Sequence, residues 1–103
     1  MLAAHTTAFL RGIILAALFV VAACETMPVQ EMSDARQAIS AAREAGAEEH
    51  AAEQLKAAQA SLVNAEKFLS TRNYGVARRE AVAAKTAAID ALRICEAARA
   101  AEN

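Results

Sequence analysis

The sequence predicts an all-α fold: an apolar leading helix followed by an alanine-rich antiparallel helical hairpin or a thin three-helix bundle. Three observations predict it. Alanine makes up more than a quarter of residues 24–103, while that stretch holds only two glycines, Gly46 and Gly75, and one proline, Pro28. Alanine is the best helix former, and glycine and proline are the worst. Apolar residues then recur in alternating steps of three and four, the period of one helical face. Finally, the breaks in that pattern are short, and short breaks between long helices favour antiparallel neighbours.

The leading segment is the first element to justify. Arg11 is the only charged side chain in the first 23 residues, and it precedes the apolar run Ile13-Ile14-Leu15-Ala16-Ala17-Leu18-Phe19-Val20-Val21-Ala22-Ala23. A positive flank, a short apolar run and small residues at the end form the layout of a secretory signal peptide. The run is about half of the roughly 20 apolar residues needed to span a bilayer, so a membrane-crossing helix is not expected.

The end of the run, Val21-Ala22-Ala23-Cys24, resembles the lipobox of bacterial lipoproteins: an aliphatic residue, two small residues and a cysteine. Small side chains let a protease cleft close on the backbone before Cys24, and the thiol is the nucleophile that takes a diacylglycerol as a stable thioether. The resemblance implies cleavage before Cys24 and acylation of its sulfur and amine. More than one acyl chain is needed for stable anchoring, at about 0.8 kcal/mol per buried methylene. Glu25 follows, where an aspartate commonly retains lipoproteins in the inner membrane; the resemblance therefore implies an outer-membrane protein facing the periplasm. The chain divides into a signal peptide over 1–23, a lipidated tether over 24–32 and a helical domain over 33–103.

About 80 residues follow the signal, one domain near the lower limit for a self-sufficient core. They carry ten basic and twelve acidic residues, so the formal charge is about −2. A nucleic-acid surface would require a clustered basic excess, so no nucleic-acid partner is expected. With Cys24 acylated, Cys95 is the one thiol left. It either fills a core position among alanines or forms an intermolecular bridge.

Glu25 to Met32 reads as the tether, with Pro28 suited to an extended linker or a first helical turn. Ser33 or Asp34 is the expected N-cap of a first helix through Ala45, and Asp34 with Gln37 has capping-box spacing. Met32, Ala35, Ile39 and Ala42 form its stripe, and Gly46 is placed to end or kink it. A second helix begins near Ala47, with Glu48 and Glu49 at the positive end of its macrodipole. Its stripe is Ala51, Leu55, Ala58, Leu62, Ala65 and Leu69, widened by Val63 and Phe68. Ser70-Thr71-Arg72-Asn73 has turn and capping residues. The third helix starts near Asn73 or Tyr74, with the stripe Tyr74, Ala77, Ala81, Ala84, Ala88, Ala91, Cys95 and Ala98, flanked by Val82, Ile89 and Leu92. Small seam residues allow helix axes to approach near the lower end of the usual range, about 8 Å.

From Ser33 onward the chain resembles the alanine-rich helical lipoproteins classed as DUF4398, a domain of unknown function. The stretches that carry this resemblance are the alanine repeat from Ala35 to Ala45, Gly46-Ala47-Glu48-Glu49-His50-Ala51, Leu55-x-x-Ala58 and Arg72-Asn73-Tyr74-Gly75-x-Ala77-Arg78. The chain departs from that pattern at Ala52, where a proline often follows an aromatic-alanine pair, so the first corner is either a bend or a continuous helix. The resemblance supplies no catalytic residues. It implies an envelope context, since related domains also occur beside peptidoglycan-binding modules.

Candidate chemistry is sparse. Glu49, His50 and Glu53 share part of a face, but His50 is the only histidine after the signal, and carboxylate-bridged metal bundles need Glu-x-x-His from two helices. No metal or cofactor is expected beyond the lipid on Cys24. Cys95 sits mid-stripe without a nearby histidine, and no glycine-rich elbow supports a nucleophilic serine, so no enzyme is expected. Arg78 and Arg79, with Lys67, Arg72 and Lys85, make the region of the second turn basic. That region is either a solvated end offset by Glu66 and Glu80 or a contact for anionic cell-wall polymer or a partner protein. Tyr74 is expected as a packing wedge.

The expected role is that of an outer-membrane lipoprotein whose periplasmic helices serve as a structural or adapter element. Its partners are the membrane through the lipid, with envelope proteins or peptidoglycan as candidates. The alternative is a murein-type lipoprotein that oligomerises as a coiled coil through the alanine seam. The sequence ends Glu102-Asn103, without the terminal lysine through which the best-known murein lipoproteins join peptidoglycan, so that linkage is not expected. Asn73-Tyr74-Gly75-Val76-Ala77 also resembles tetratricopeptide repeats, but one partial repeat is too few for such a module.

Overall fold

Gly46 and the turn at Arg72 divide residues 29–102 into three helical arms. The structure, a computed structural model, describes residues 26–103; the expected signal peptide over 1–23, the lipobox-like residues Val21 to Ala23 and Cys24 lie outside the described residues. The helices are α1 (Val29–Glu44), a single turn α2 (Ala47–His50), α3 (Ala52–Ser70) and α4 (Tyr74–Glu102). No strand occurs among the described residues.

Helix α1 starts earlier than its polar residues suggest. Pro28 is the N-cap, with φ −79° and ψ 57°. The Val29 amide donates to the Met27 carbonyl at 2.8 Å, which makes Pro28 the centre of an inverse γ-turn. Met32 donates to the Pro28 carbonyl at 3.0 Å, so the helix is under way before Ser33. The expected cap at Ser33 or Asp34 and the Asp34–Gln37 capping box do not form. Both side chains bond along the helix surface instead: Gln30 donates to Asp34 at 2.8 Å and Gln37 to Ser33 at 3.3 Å. The tether boundary of 24–32 is therefore too long, since residues 29–32 are helical and Met32 is in the core. Proline's fixed φ and the burial of Met32 outweigh the capping propensity of the polar pair.

The first corner is a reversal rather than a bend. Gly46 adopts the left-handed conformation, φ 94°, and its amide donates to Arg43 O at 3.0 Å. After the single turn of α2, Ala51 breaks the helix again, with φ −146° and ψ 45°. The second corner is a Schellman turn. Asn73 N–H bonds to Phe68 O at 2.8 Å and Arg72 N–H to Leu69 O at 3.0 Å. Arg72 occupies the left-handed position, φ 61°, that glycine would fill without strain.

The arms run up, down and up. Glu31 and Asp34 of α1 meet Arg78 and Lys85 of α4 in the same order, so these two helices are parallel. Arg36 meets Glu66, while Arg43 lies across a groove from Gln59, so α1 and α3 are antiparallel. The result is a three-helix bundle in which α4 packs against both other arms.

Its core is built largely of alanine. Ala35, Ala42, Ala58, Ala65, Ala77, Ala81, Ala84, Ala88 and Ala91 have no exposed surface. Bulk comes from Met32, Ile39, Leu55 and Cys95, all buried, and from Leu62 and Leu69, which are half-buried. Leu62 packs against both core clusters: the one around Met32, Ala65 and Ala81, and the larger one from Ile39 to Cys95. None of the five expected flanking residues is buried: Phe68, Ile89 and Leu92 are half-buried, and the other two are exposed. Val63 is 61% exposed and Val82 is 49% exposed. Alanine lets the helices close on a narrow seam, and residues one step off that seam are left outside it.

Candidate interaction surfaces

Arg78 gathers three segments. Its Nε donates to Glu31 Oε1 at 3.1 Å and its Nη2 donates to the Thr26 carbonyl at 2.9 Å. Arg78 follows the buried Ala77 on α4 and Glu31 precedes the buried Met32 on α1, so the parallel packing of these helices sets them side by side. The bonds reach the stretch just after the proposed lipidation residue, Cys24. Residues 26–28 are thus attached to the bundle, and the side chain of Pro28 is buried.

The basic residues expected as one patch have two fates. Arg78 pairs with Glu31, and Lys85 approaches Asp34 at 3.8 Å. Their partners are on α1, rather than the sequence-adjacent Glu66 and Glu80; Glu66 is taken by Arg36 at 3.4 Å. Lys67, Arg72 and Arg79 are exposed and have no carboxylate within ion-pair distance among the described residues. Arg72 to Val76, with Arg78 and Arg79, line a depression of about 340 Å³ at this end. Tyr74 is half-buried in its wall.

Charge is distributed unevenly along the bundle. Segments 26–36 and 66–85, at the Thr26 end, carry six basic and four acidic residues. Segments 37–65 and 86–103, at the other end, carry four basic and seven acidic residues. The stripe pattern contains no sign of this division; it follows from the register of the three arms.

A second concavity lies between α1 and α3. It has a volume of about 420 Å³ and is lined by Ile39, Leu62 and Val63, with Arg36 and Arg43 at its edge. It is shallow, and exposed Val63 gives it an apolar lip.

His50 is partly exposed, with Nε2 at 3.9 Å from its neighbour Glu49. Among the described residues no group of three histidine, cysteine or carboxylate side chains could hold a metal ion. Cys95 is buried in the cluster with Ala42, Ala47, Ala51 and Ala91. No polar or charged side chain is buried among the described residues, and no described helix is long and apolar enough to cross a membrane.

The Arg78 clamp was missed by sequence reasoning because its partners are 47 and 52 residues away. One signal does exist: Glu31 and Asp34 each precede a seam residue, and Arg78 and Lys85 each follow one, the arrangement of charges that flank a parallel helix pair. Comparisons of the chain with family models, curated proteins and solved structures find no match.

Proposed function

We propose that the chain is a non-enzymatic outer-membrane lipoprotein, anchored through acylated Cys24, whose periplasmic three-helix bundle serves as a structural or adapter element of the cell envelope. The observation that carries this reading is Val21-Ala22-Ala23-Cys24 at the end of an apolar run with a single basic residue ahead of it. The DUF4398-like pattern from Ser33 onward supports the envelope context, and Glu25 in place of aspartate supports the outer membrane. The bundle works by anchorage and by surface contact, with exposed charge and a shallow groove as its contact features.

The attachment of Thr26 to Arg78 fits this reading. A helical domain that began after a long free linker would be loosely held to its anchor, whereas here α1 begins five residues after Cys24. The alternative, an alanine-zipper murein-type oligomer, needs the alanine seam of α4 at a subunit interface. That seam is covered by α1 and α3 of the same chain, which favours the self-packed bundle.

Metabolic labelling with radioactive palmitate tests the anchor. Label in the wild-type protein and none in Cys24→Ala is the expected result. Equal labelling of both, or of neither, would refute it.

A further inference from the structure

We infer that the end of the bundle formed by the α3–α4 turn rests on the anionic phospholipid headgroups of the leaflet that holds the anchor, with Arg72, Arg79 and Lys67 as the contacting cations. This inference rests on the lipid-anchor reading of Cys24 and adds to it an orientation and a lipid preference.

Three observations combine. The first is distance: Cys24 precedes Thr26 by two residues, a span of at most about 7 Å for an extended chain. Thr26 is bonded to Arg78, so an acylated Cys24 brings this end, and no other, to the headgroup layer. The second is the sign of the charge. Lys67, Arg72 and Arg79 are exposed, unpaired among the described residues, and lie at the end of α3, in the turn and in the second turn of α4. The third is polarity. The excess of acidic residues lies at the opposite end, so an anionic surface attracts one end and repels the other.

Magnitudes favour docking over free rotation about the tether. Each lysine or arginine near an anionic membrane surface strengthens attachment about fivefold, and the attraction decays within a Debye length of about 8 Å at physiological salt. Arg72 and Arg79 line the same depression as Arg78, which is bonded to Thr26, so they share the end that the anchor brings to the surface. Arg78 is occupied by Glu31 and Thr26, so its part is to hold the tether while its neighbours meet the phosphates. The bundle therefore stands with the Gly46 corner and the end of α4 pointing away from the membrane, where the acidic surface is free for other partners.

The test uses the full chain, expressed with its signal and purified from membranes. Mass spectrometry of the N-terminal peptide first reports whether Cys24 is acylated. Asn73→Cys and Asn103→Cys variants are then labelled with a fluorophore, Cys95 being buried. Each is reconstituted into vesicles of phosphatidylcholine, with or without about 30% phosphatidylglycerol, that carry a headgroup-attached quencher. Quenching at position 73 several-fold stronger than at 103, dependent on phosphatidylglycerol and lost at high salt or in Arg72→Glu/Arg79→Glu, is the expected result. Equal quenching at both positions, or quenching indifferent to the anionic lipid, would overturn the inference. An unacylated Cys24 would overturn the anchor alone, and cosedimentation with the two kinds of vesicle then decides for the basic end. Salt-sensitive binding only to anionic vesicles supports it; no binding, or equal binding to both, overturns it.

Discussion

The Nη2 of Arg78 donates to the carbonyl of Thr26 at 2.9 Å, a bond across 52 residues that joins the first described residue of the chain to the opening turns of its last helix. With the bond from Nε to Glu31, it makes one side chain the fastening of the tether, α1 and α4. Both charged side chains are 32% exposed, so solvent screens part of the attraction.

Arg78→Ala is therefore expected to lower stability by about 1 kcal/mol, between the values typical of exposed ion pairs and of charged hydrogen bonds. For a domain of this size that corresponds to a fall in Tm of about 5 °C. Hydrogen exchange should show the loss concentrated in residues 26–32, with the α3–α4 hairpin unchanged. Uniform loss of protection along the whole chain would contradict a local fastening.

The two corners make the same demand, a residue at positive φ, and only the first meets it with glycine. Gly46→Ala places a Cβ at φ 94°, 3.4 Å from the ring of His50, and should cost about 1–2 kcal/mol. Arg72→Gly removes the left-handed strain at φ 61° and should raise stability by about 1 kcal/mol. Gly75→Ala meets nothing within 4 Å at the start of α4 and should raise it by up to about 1 kcal/mol. Chemical denaturation of the three variants checks the order.

Leu62 and Val63 are neighbours with different fates. Leu62 packs against both core clusters, and Leu62→Ala should cost about 2 kcal/mol, toward the low end for buried leucines because it is only half-buried. Val63→Ala, at an exposed position, should stay within about 0.5 kcal/mol of wild type. Similar losses at both positions would contradict the observed helix rotation.

The seam leaves no room for larger residues. Ala84→Leu, at a site with no exposed surface, should cost about 1–3 kcal/mol through overpacking. Ala83→Leu, one step away on the exposed face, should be close to neutral. Thermal melts of the pair measure how tightly the alanine seam is closed.

Much of this architecture was legible in the residues. The stripe Met32, Ala35, Ile39, Ala42 is buried throughout, as is that of α4 from Ala77 to Cys95, because the three-four period directly encodes a helical face. Gly46 and Ser70 to Asn73 mark the corners, because turns need residues tolerant of unusual backbone. The start of α1 is not legible in the same way: Ser33 and Asp34 are good capping residues, and propensity alone does not register that Met32 is needed inside. The second stripe is narrower at Val63 than its pattern predicts, since a narrow alanine seam buries fewer flanking residues than a leucine-rich core. The fastening at Arg78 depends on how the helices are paired, which periodicity does not specify. Cys24 and the lipobox-like run before it are read from sequence alone, and their proposed chemistry is tested by acylation.

Cys95 provides a check on the far end of the core. Its thiol is buried among alanines, so the folded protein should not react with an aromatic disulfide reagent until denatured, and no reductant-sensitive dimer should form. Rapid reaction under native conditions would mean that the α2 corner does not cover it.

The central claim, that a single chain covers its own alanine seam, is tested most directly by the solution mass of unacylated residues 25–103, measured by light scattering with small-angle scattering for shape. The account predicts a monomer with the profile of a short three-helix bundle. A parallel trimer of nearly continuous helices would contradict it, because the seam of α4 would then face other chains instead of α1 and α3.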